Sequence, residues 1–350
     1  MMQILSGLSA ALALGAGAAS TSVAADSTGR YEKVHTIKIG GDGGWDFLEV
    51  DETNRRLYVA RGNRVVVLDV DFEKVVGEIP DTPGVHGIAF VPDLGRGFTS
   101  NGGDSTVTAF DLKTLKTIGK VKANGRPDII KFEPASRRIL SFNHGTNDVT
   151  AIDPQSLQVV GSMAAGGVPE LAVFDEHGHG WMNLEDKGEI AEFDAKTMTL
   201  VKKFSLAPGT APTGLAFDPK ARKLFSTCAN KLLVVADADA GKVVETLPIG
   251  PGPDGCVRDT ETGLVFAACG GDGTLAIIKE ASPGKYEVAK TVTTQVTAKT
   301  IALDPKTHRV YLAAATPEAA STVEQGGGKP AAKGRRRMVP GSFVVVVAGE

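Results

Sequence analysis

PTGLAFDPKARKLFSTC, residues 212–228, decides the fold, because the chain writes versions of it seven times. An apolar run closes on Asp-Pro, a basic turn follows, and a second apolar run ends in a small or polar residue. The first run recurs as WDFLEVD (45–51), VHGIAFVP (85–92), PDIIKFEP (127–134), PELAVFDE (169–176), PDGCVRDT (253–260) and AKTIALDP (298–305). Its last apolar slot falls on Val50, Phe90, Phe132, Phe174, Phe217, Arg258 and Leu303, in steps of 40, 42, 42, 43, 41 and 45 residues. Self-similarity at such an interval is the mark of a repeat architecture.

Each unit holds two further runs, such as NRVVVLD (63–69) and KVVGEI (74–79) in the first. The runs are β-branched, short and bounded by Gly, Asn, Asp or Pro, as strands are, and none keeps a 3.6-residue period over the length of a helix. The 42 Gly and 18 Pro, spread along 350 residues, supply the turns. Four antiparallel strands in about forty residues make one blade of a β-propeller. A single such sheet leaves both faces wet, so the repeats must ring up. The expected fold is therefore all-β, a seven-bladed propeller. The seventh unit lacks a fourth strand, and YEKVHTIKIG (31–40) resembles the fourth run YEVAKTV (286–292). This N-terminal strand is expected to pair with 343–347 and complete the last blade, hiding two sheet edges.

Two segments stand outside the repeat. Residues 1–25 hold an apolar stretch, 4–19, and then Val23-Ala24-Ala25, which reads as a cleaved signal peptide although no Lys or Arg precedes it. The expectation is a mature domain of 26–350, periplasmic or secreted and monomeric, without a transmembrane segment. Residues 317–341 interrupt the last blade with a basic tip, KPAAKGRRR (329–337), expected as a flexible, solvated loop or a contact for an acidic partner, lipid head group or nucleic acid. A net charge of −3 gives no field that favours nucleic acid. Three cysteines, Cys228, Cys256 and Cys269, leave open one disulfide or packed free thiols.

The second runs include LYVA (57–60), FTSN (98–101) and LFSTC (224–228), several of them preceded by Phe-Asp-Pro or Leu-Asp-Pro. From about residue 31 to the C-terminus the chain resembles the YVTN-repeat β-propellers of the YncE-like family, named for Tyr-Val-Thr-Asn at the second strand. The resemblance implies an exported propeller and specifies no activity. Cys or Ala replaces the motif's Asn in units five to seven, and Arg258 occupies an apolar slot.

In a propeller the innermost strands begin around one mouth of the central channel. Four residues before each anchor stand Asp46, His86, Asp128, Glu170, Thr213, Asp254 and Lys299, six of them ionisable. A second ring, eleven residues after each anchor, reads Arg61, Asn101, Asn143, Cys228, Cys269 and Ala314, with Asn183 displaced in the shorter fourth unit. His144, Glu185 and Asp186 lie just beyond it. Trp45, beside Asp46, either stacks on a ligand or wedges between blades. Three readings fit this mouth. It is a funnel that binds a small polar molecule, cofactor or protein partner. It is a divalent metal site, for Ca or Mg, on Asp46, His86, Asp128 and Glu170, with His86 admitting a transition metal. Or it is a wet polar channel neutralised by Lys299, Arg61 and Arg126. The corresponding functions are a binding protein without turnover, a lactonase-like metal-dependent hydrolase or lyase, and a pure interaction platform. No nucleophile elbow, His-Glu-x-x-His motif or Walker loop is present. His177 and His179 belong to a turn at the opposite face.

Overall fold

In the computed structural model, which describes residues 28–349 apart from positions 33, 176 and 319–336, the repeat becomes seven four-stranded antiparallel sheets. Residues 1–25 and, except for Arg337, the basic tip lie outside the described residues. Blade 5 shows the plan: Pro212–Asp218 lies innermost, then Lys223–Cys228, Leu232–Asp237 and Lys242–Pro248 at the rim. The second and third strands are buried on both faces between neighbouring blades, so their β-branched and aromatic side chains form the core. Trp181 of blade 4 stacks on Phe217 of blade 5 at 5.0 Å between ring centroids, one of several aromatic contacts across blade boundaries.

The acidic residue that closes six of the seven first runs has a local role and a long-range one. Locally, its carboxylate accepts backbone N–H groups from the turn that follows. Asp218 takes those of Lys220 and Ala221, Asp259 those of Glu261 and Thr262, and Glu133 those of Ala135 and Ser136. The basic residue of that turn sits in the left-handed region in four blades, at Arg55, Arg137, Arg222 and His308 with φ of 54° to 61°. Such a conformation costs a non-glycine residue about 1 kcal/mol. Each of these side chains reaches an aspartate of the preceding blade: Arg55 to Asp304 at 2.7 Å, Arg137 to Asp93, Arg222 to Asp175 at 3.4 Å and His308 to Asp259 at 2.7 Å. Arg258, the odd residue in its apolar slot, does the same from its inner strand, pairing with Asp218 at 2.7 Å. Five of the seven blades are thus clamped by a basic side chain to the blade before, while blades 2 and 4 carry Gly95 and Gly178 at that turn.

Closure uses two more devices. Val34–Lys38 pairs antiparallel with Val344–Ala348, so the last blade takes its outer strand from the N-terminal end of the chain. Beside that seam, the Arg61 guanidinium, 1% exposed, donates to the carbonyls of Gly40, Gly41, Gly43 and Gly44 at 2.9–3.2 Å and lies 3.8 Å over the Phe343 ring. Gly40, Gly41 and Gly43 have φ of 68°, 70° and 102°, values that let successive carbonyls turn toward one cation. Burial and the neighbouring Arg64 lower the Arg61 pKa to about 10.

The rim carries a repeated irregularity. In blades 1 to 6 the pairing of the third and fourth strands slips by one residue near the start of the fourth, whereas the seventh blade's outer strand runs in unbroken register. Such bulges twist an edge away from strand partners. At the root of the insertion, Pro317 bridges Met338, and the Glu318 N–H donates to the Arg337 carbonyl.

Asp304 is fully buried, and although burial opposes its charge, the Arg55 hydrogen bonds hold its pKa below the usual carboxylate range. A depressed carboxylate contributes stability above its unfolded pKa and loses it as pH falls through the folded one. Arg55→Met is therefore expected to destabilise the protein by about 3 kcal/mol at neutral pH, by leaving a buried charge unpaired. Urea titrations should show the deficit shrinking below about pH 4, where Asp304 takes up a proton.

Candidate functional site

The inner strands bring the first ring together at one end of the channel. His86, on Val85–Val91 of blade 2, presents Nδ1 to Asp46 Oδ2 of blade 1 at 2.5 Å and to Asp128 Oδ1 of blade 3 at 3.2 Å. Asp128 Oδ2 lies 3.4 Å from Nδ1 of His144, whose ring stands 3.9 Å from Glu170 Oε1 of blade 4. Carboxylate and imidazole thus alternate along one arc: Asp46, His86, Asp128, His144, Glu170. The opposite arc is self-neutralised, since Lys299 of blade 7 pairs with Asp254 of blade 6 at 2.5 Å. Thr213 of blade 5 turns its hydroxyl toward the Pro253 carbonyl at 3.4 Å.

Backbone contacts between adjacent inner strands fix these positions. Thr300 Oγ1 donates to the Asp46 carbonyl at 2.8 Å, and Ser100 Oγ donates to the Asp128 carbonyl while accepting the Gly87 N–H. Gly87 allows this approach, because a Cβ there would stand 3.1 Å from the Asp128 carbonyl. His144 extends from the end of its strand, with its N–H on the Arg126 carbonyl.

The electrostatics follow from packing acids together out of water. Burial raises the pKa of Glu170 to about 9, helped by Asp128, Asp254, Glu185 and Asp46. Burial likewise raises Asp46, against the His86 hydrogen bond. For His86, burial opposes the imidazolium, yet the Asp46 hydrogen bond and the charges of Asp128 and Asp46 prevail and its pKa rises. His144 is raised first by its bond to Asp128. At neutral pH the mouth therefore holds a protonated Glu170, a proton donor, beside imidazoles bonded to carboxylates. That set can bind a cation, hydrogen-bond a polar solute or pass protons along the arc.

The second ring is placed differently from the sequence expectation. Asn101, Asn143 and Asn183 are fully buried and none is accessible from the channel. The Asn101 amide donates to Thr106 and Thr108 and that of Asn143 to Asp148 and Thr150, within their own blades. Asn183 donates to the Thr213 and Gly214 carbonyls of the next blade and accepts from Ser226. Cys228, Cys256 and Cys269 are free and buried, which raises their thiol pKa values. Arg61 lies in its carbonyl cage rather than at the mouth. Trp45 packs into the core shared by blades 7 and 1, its ring 5.6 Å from Phe343. His144, noted only as lying beyond the second ring, is a full member of the arc; its position after Asn143, at the mouth end of a second strand, was the available signal. His179 pairs with Asp175, away from the arc. Below the acidic mouth Phe47 packs against the core of blades 3 to 5. It also roofs a cavity of about 520 Å³ walled by Leu171, Val173, Leu215 and Val257, with Lys131 bound to Glu49 at 3.1 Å.

No family model matches the chain, and no curated protein does. Solved structures match its fold. Hydrazine synthase from Kuenenia stuttgartiensis aligns over 79% of this chain and 94% of its own, with 16% identity and a TM-score of 0.70. A chain of the mitotic checkpoint complex aligns over 88% of this chain and 96% of its own, with 14% identity and a TM-score of 0.70. At such identities the likeness establishes the seven-bladed propeller and nothing of the chemistry. Among the described residues no helix is long and apolar enough to cross a membrane.

A group whose folded pKa is raised gives stability below its unfolded pKa and loses it as pH rises toward the folded one. In chelator-treated protein, Glu170→Gln should therefore flatten the pH dependence of stability. Wild type is expected to lose about 1.4 kcal/mol per pH unit between about pH 5 and 8 relative to the variant, read by denaturant melts. Parallel curves would show that Glu170 ionises normally.

Proposed function

We propose that this protein binds a small cation at the channel mouth, and that a divalent transition-metal ion on Asp46, His86 and Asp128 is the species the donors suit best. The observation that carries this reading is the convergence of ligand atoms from three blades to within 4.8 Å of one another. An imidazole nitrogen between carboxylate oxygens favours ions such as Mn, Fe, Co or Zn over Ca or Mg, which take oxygen donors. Burial and then the neighbouring acids Asp128, Asp254, Glu185 and Asp46 raise the Glu170 pKa, so a cation would meet a concentration of acids at the mouth. The cluster is only partly buried, so coordination positions face solvent, as binding of a further small polar molecule requires. An exported location rests on the signal-like residues 1–25, and kinship with the YVTN-repeat propellers on the motif copies; both belong to the same proposal.

Protein purified without chelator is expected to carry a stoichiometric transition metal by elemental analysis. After stripping, it should bind added Zn²⁺ or Mn²⁺ calorimetrically, with Ca²⁺ weaker. Asp128→Asn should weaken binding at least tenfold, about 1.4 kcal/mol. If wild type and variant bind neither ion above background, the mouth is not a metal site.

A further inference from the structure

The arc contains more donors than one ion needs. Asp128 is the hinge of the arrangement: its Oδ1 lies 3.2 Å from His86 Nδ1, and its Oδ2 lies 3.4 Å from His144 Nδ1. The two oxygens of one carboxylate thus address two different imidazoles. On the far side of His86 stands Asp46, and on the far side of His144 stands Glu170. Two separate triads result, Asp46–His86–Asp128 and Asp128–His144–Glu170, each with its ligand atoms within 4.8 Å of one another. Glu170 supplies an independent sign. It is 9% exposed, and its carboxylate makes no hydrogen bond among the described residues, only the 3.9 Å approach to His144. A carboxylate so placed has lost most of its water without gaining a donor, and a coordinated cation is one group that offsets that loss.

Resting on the metal-binding reading above, we propose that the mouth holds two divalent transition-metal ions bridged by Asp128, the first between Asp46 and His86 and the second between His144 and Glu170. Two-metal sites keep their ions about 3.5–4 Å apart, a separation one bridging carboxylate spans. The ligands come from rigid parts of the fold. Asp46, His86, Asp128 and Glu170 stand at equivalent starts of adjacent inner strands, and the Asp128 carbonyl is pinned by Ser100. His144 is held through its own N–H on the Arg126 carbonyl at 3.0 Å and through the next, that of Gly145 on Gly125 at 3.0 Å. Both ions would keep positions open to the channel. Two dications over three carboxylates also reverse the sign of the local charge, so the loaded mouth would attract a small oxyanion where the empty one repels it.

The test is a titration of stripped full-length protein with Mn²⁺, followed by calorimetry for stoichiometry and by low-temperature electron paramagnetic resonance for coupling between ions. Two equivalents per chain are expected, the second converting the six-line spectrum of an isolated ion into that of an exchange-coupled pair. His144→Ala should bind one equivalent and keep the uncoupled spectrum. Glu170→Gln provides the same check should His144→Ala fail to fold, with thermal melts confirming the fold of whichever variant is used. One equivalent in the wild type, unchanged in either variant, overturns the second ion while leaving the single-metal reading intact. No bound Mn²⁺ at all overturns both.

Discussion

Closure of the ring is the constraint on which everything else in this molecule depends. The sheets have no interior of their own; each buries its faces only against its two neighbours, and the first and last blades do so only if the circle is complete. Three kinds of interaction enforce that. The strand Val34–Lys38 hydrogen-bonds to Val344–Ala348. Arg55 of the first blade is clamped to Asp304 of the last. Arg61 gathers the carbonyls of the glycine-rich segment that leads from the closing strand into blade 1. The first belongs to backbone pairing, and the others to cations at the same seam. They differ in electrostatic character: at Arg55 the hydrogen bonds to Asp304 and Asp71 outweigh burial and raise its affinity for its proton, whereas Arg61 is held by peptide dipoles and burial prevails.

Stacking of consecutive blades makes the mouth. Asp46, His86, Asp128 and Glu170 are about forty residues apart in sequence and within hydrogen-bonding or ion-pair range of one another or of His144 in space. On an isolated blade each acid would be an ordinary hydrated side chain. Gathered about one axis and partly dried, they compete for protons, and the imidazoles between them become the counter-ions. Lys299 pairs with Asp254 and relieves the arc only in part, favouring the charged form of Asp46 against the larger effect of burial.

How much of this the sequence disclosed depends on which property is asked for. The period of the apolar runs gave blade number, strand order and the exchanged terminal strand, because those follow from hydrophobic spacing alone. Of the residues it ranked as one ring, His86, Asp128, Glu170 and Asp254 stand second in their inner strands, and Asp46 and Lys299 just before theirs. Spacing along a strand does not report the direction of a side chain relative to the radial sheet. Asn101, Asn143 and Asn183 stand at the expected heights yet point into or between blades, where hydroxyls and carbonyls satisfy them. His144 shows the converse: one residue beyond a ring position, it emerges where the strand ends and turns toward Asp128. The basic turns were visible as a pattern, but their partners lie one blade earlier, a relation only the three-dimensional stacking supplies. Residues 1–25 and 319–336, which include the signal-like segment and most of the basic tip, lie outside the described residues.

The shared seventh blade has a temporal side. A chain emerges from its ribosome in order, so the segment that completes the circle is made before the first blade and its partner, Val344–Ala348, only after six blades. Six blades can stack as they emerge, each on the one before. Throughout that interval the early strand has nothing to zip onto, and the innermost face of blade 1 lacks its neighbour. The arc of acids and imidazoles needs only the consecutive blades 1 to 4, whereas the bond from Thr300 that pins the Asp46 carbonyl has to wait for blade 7.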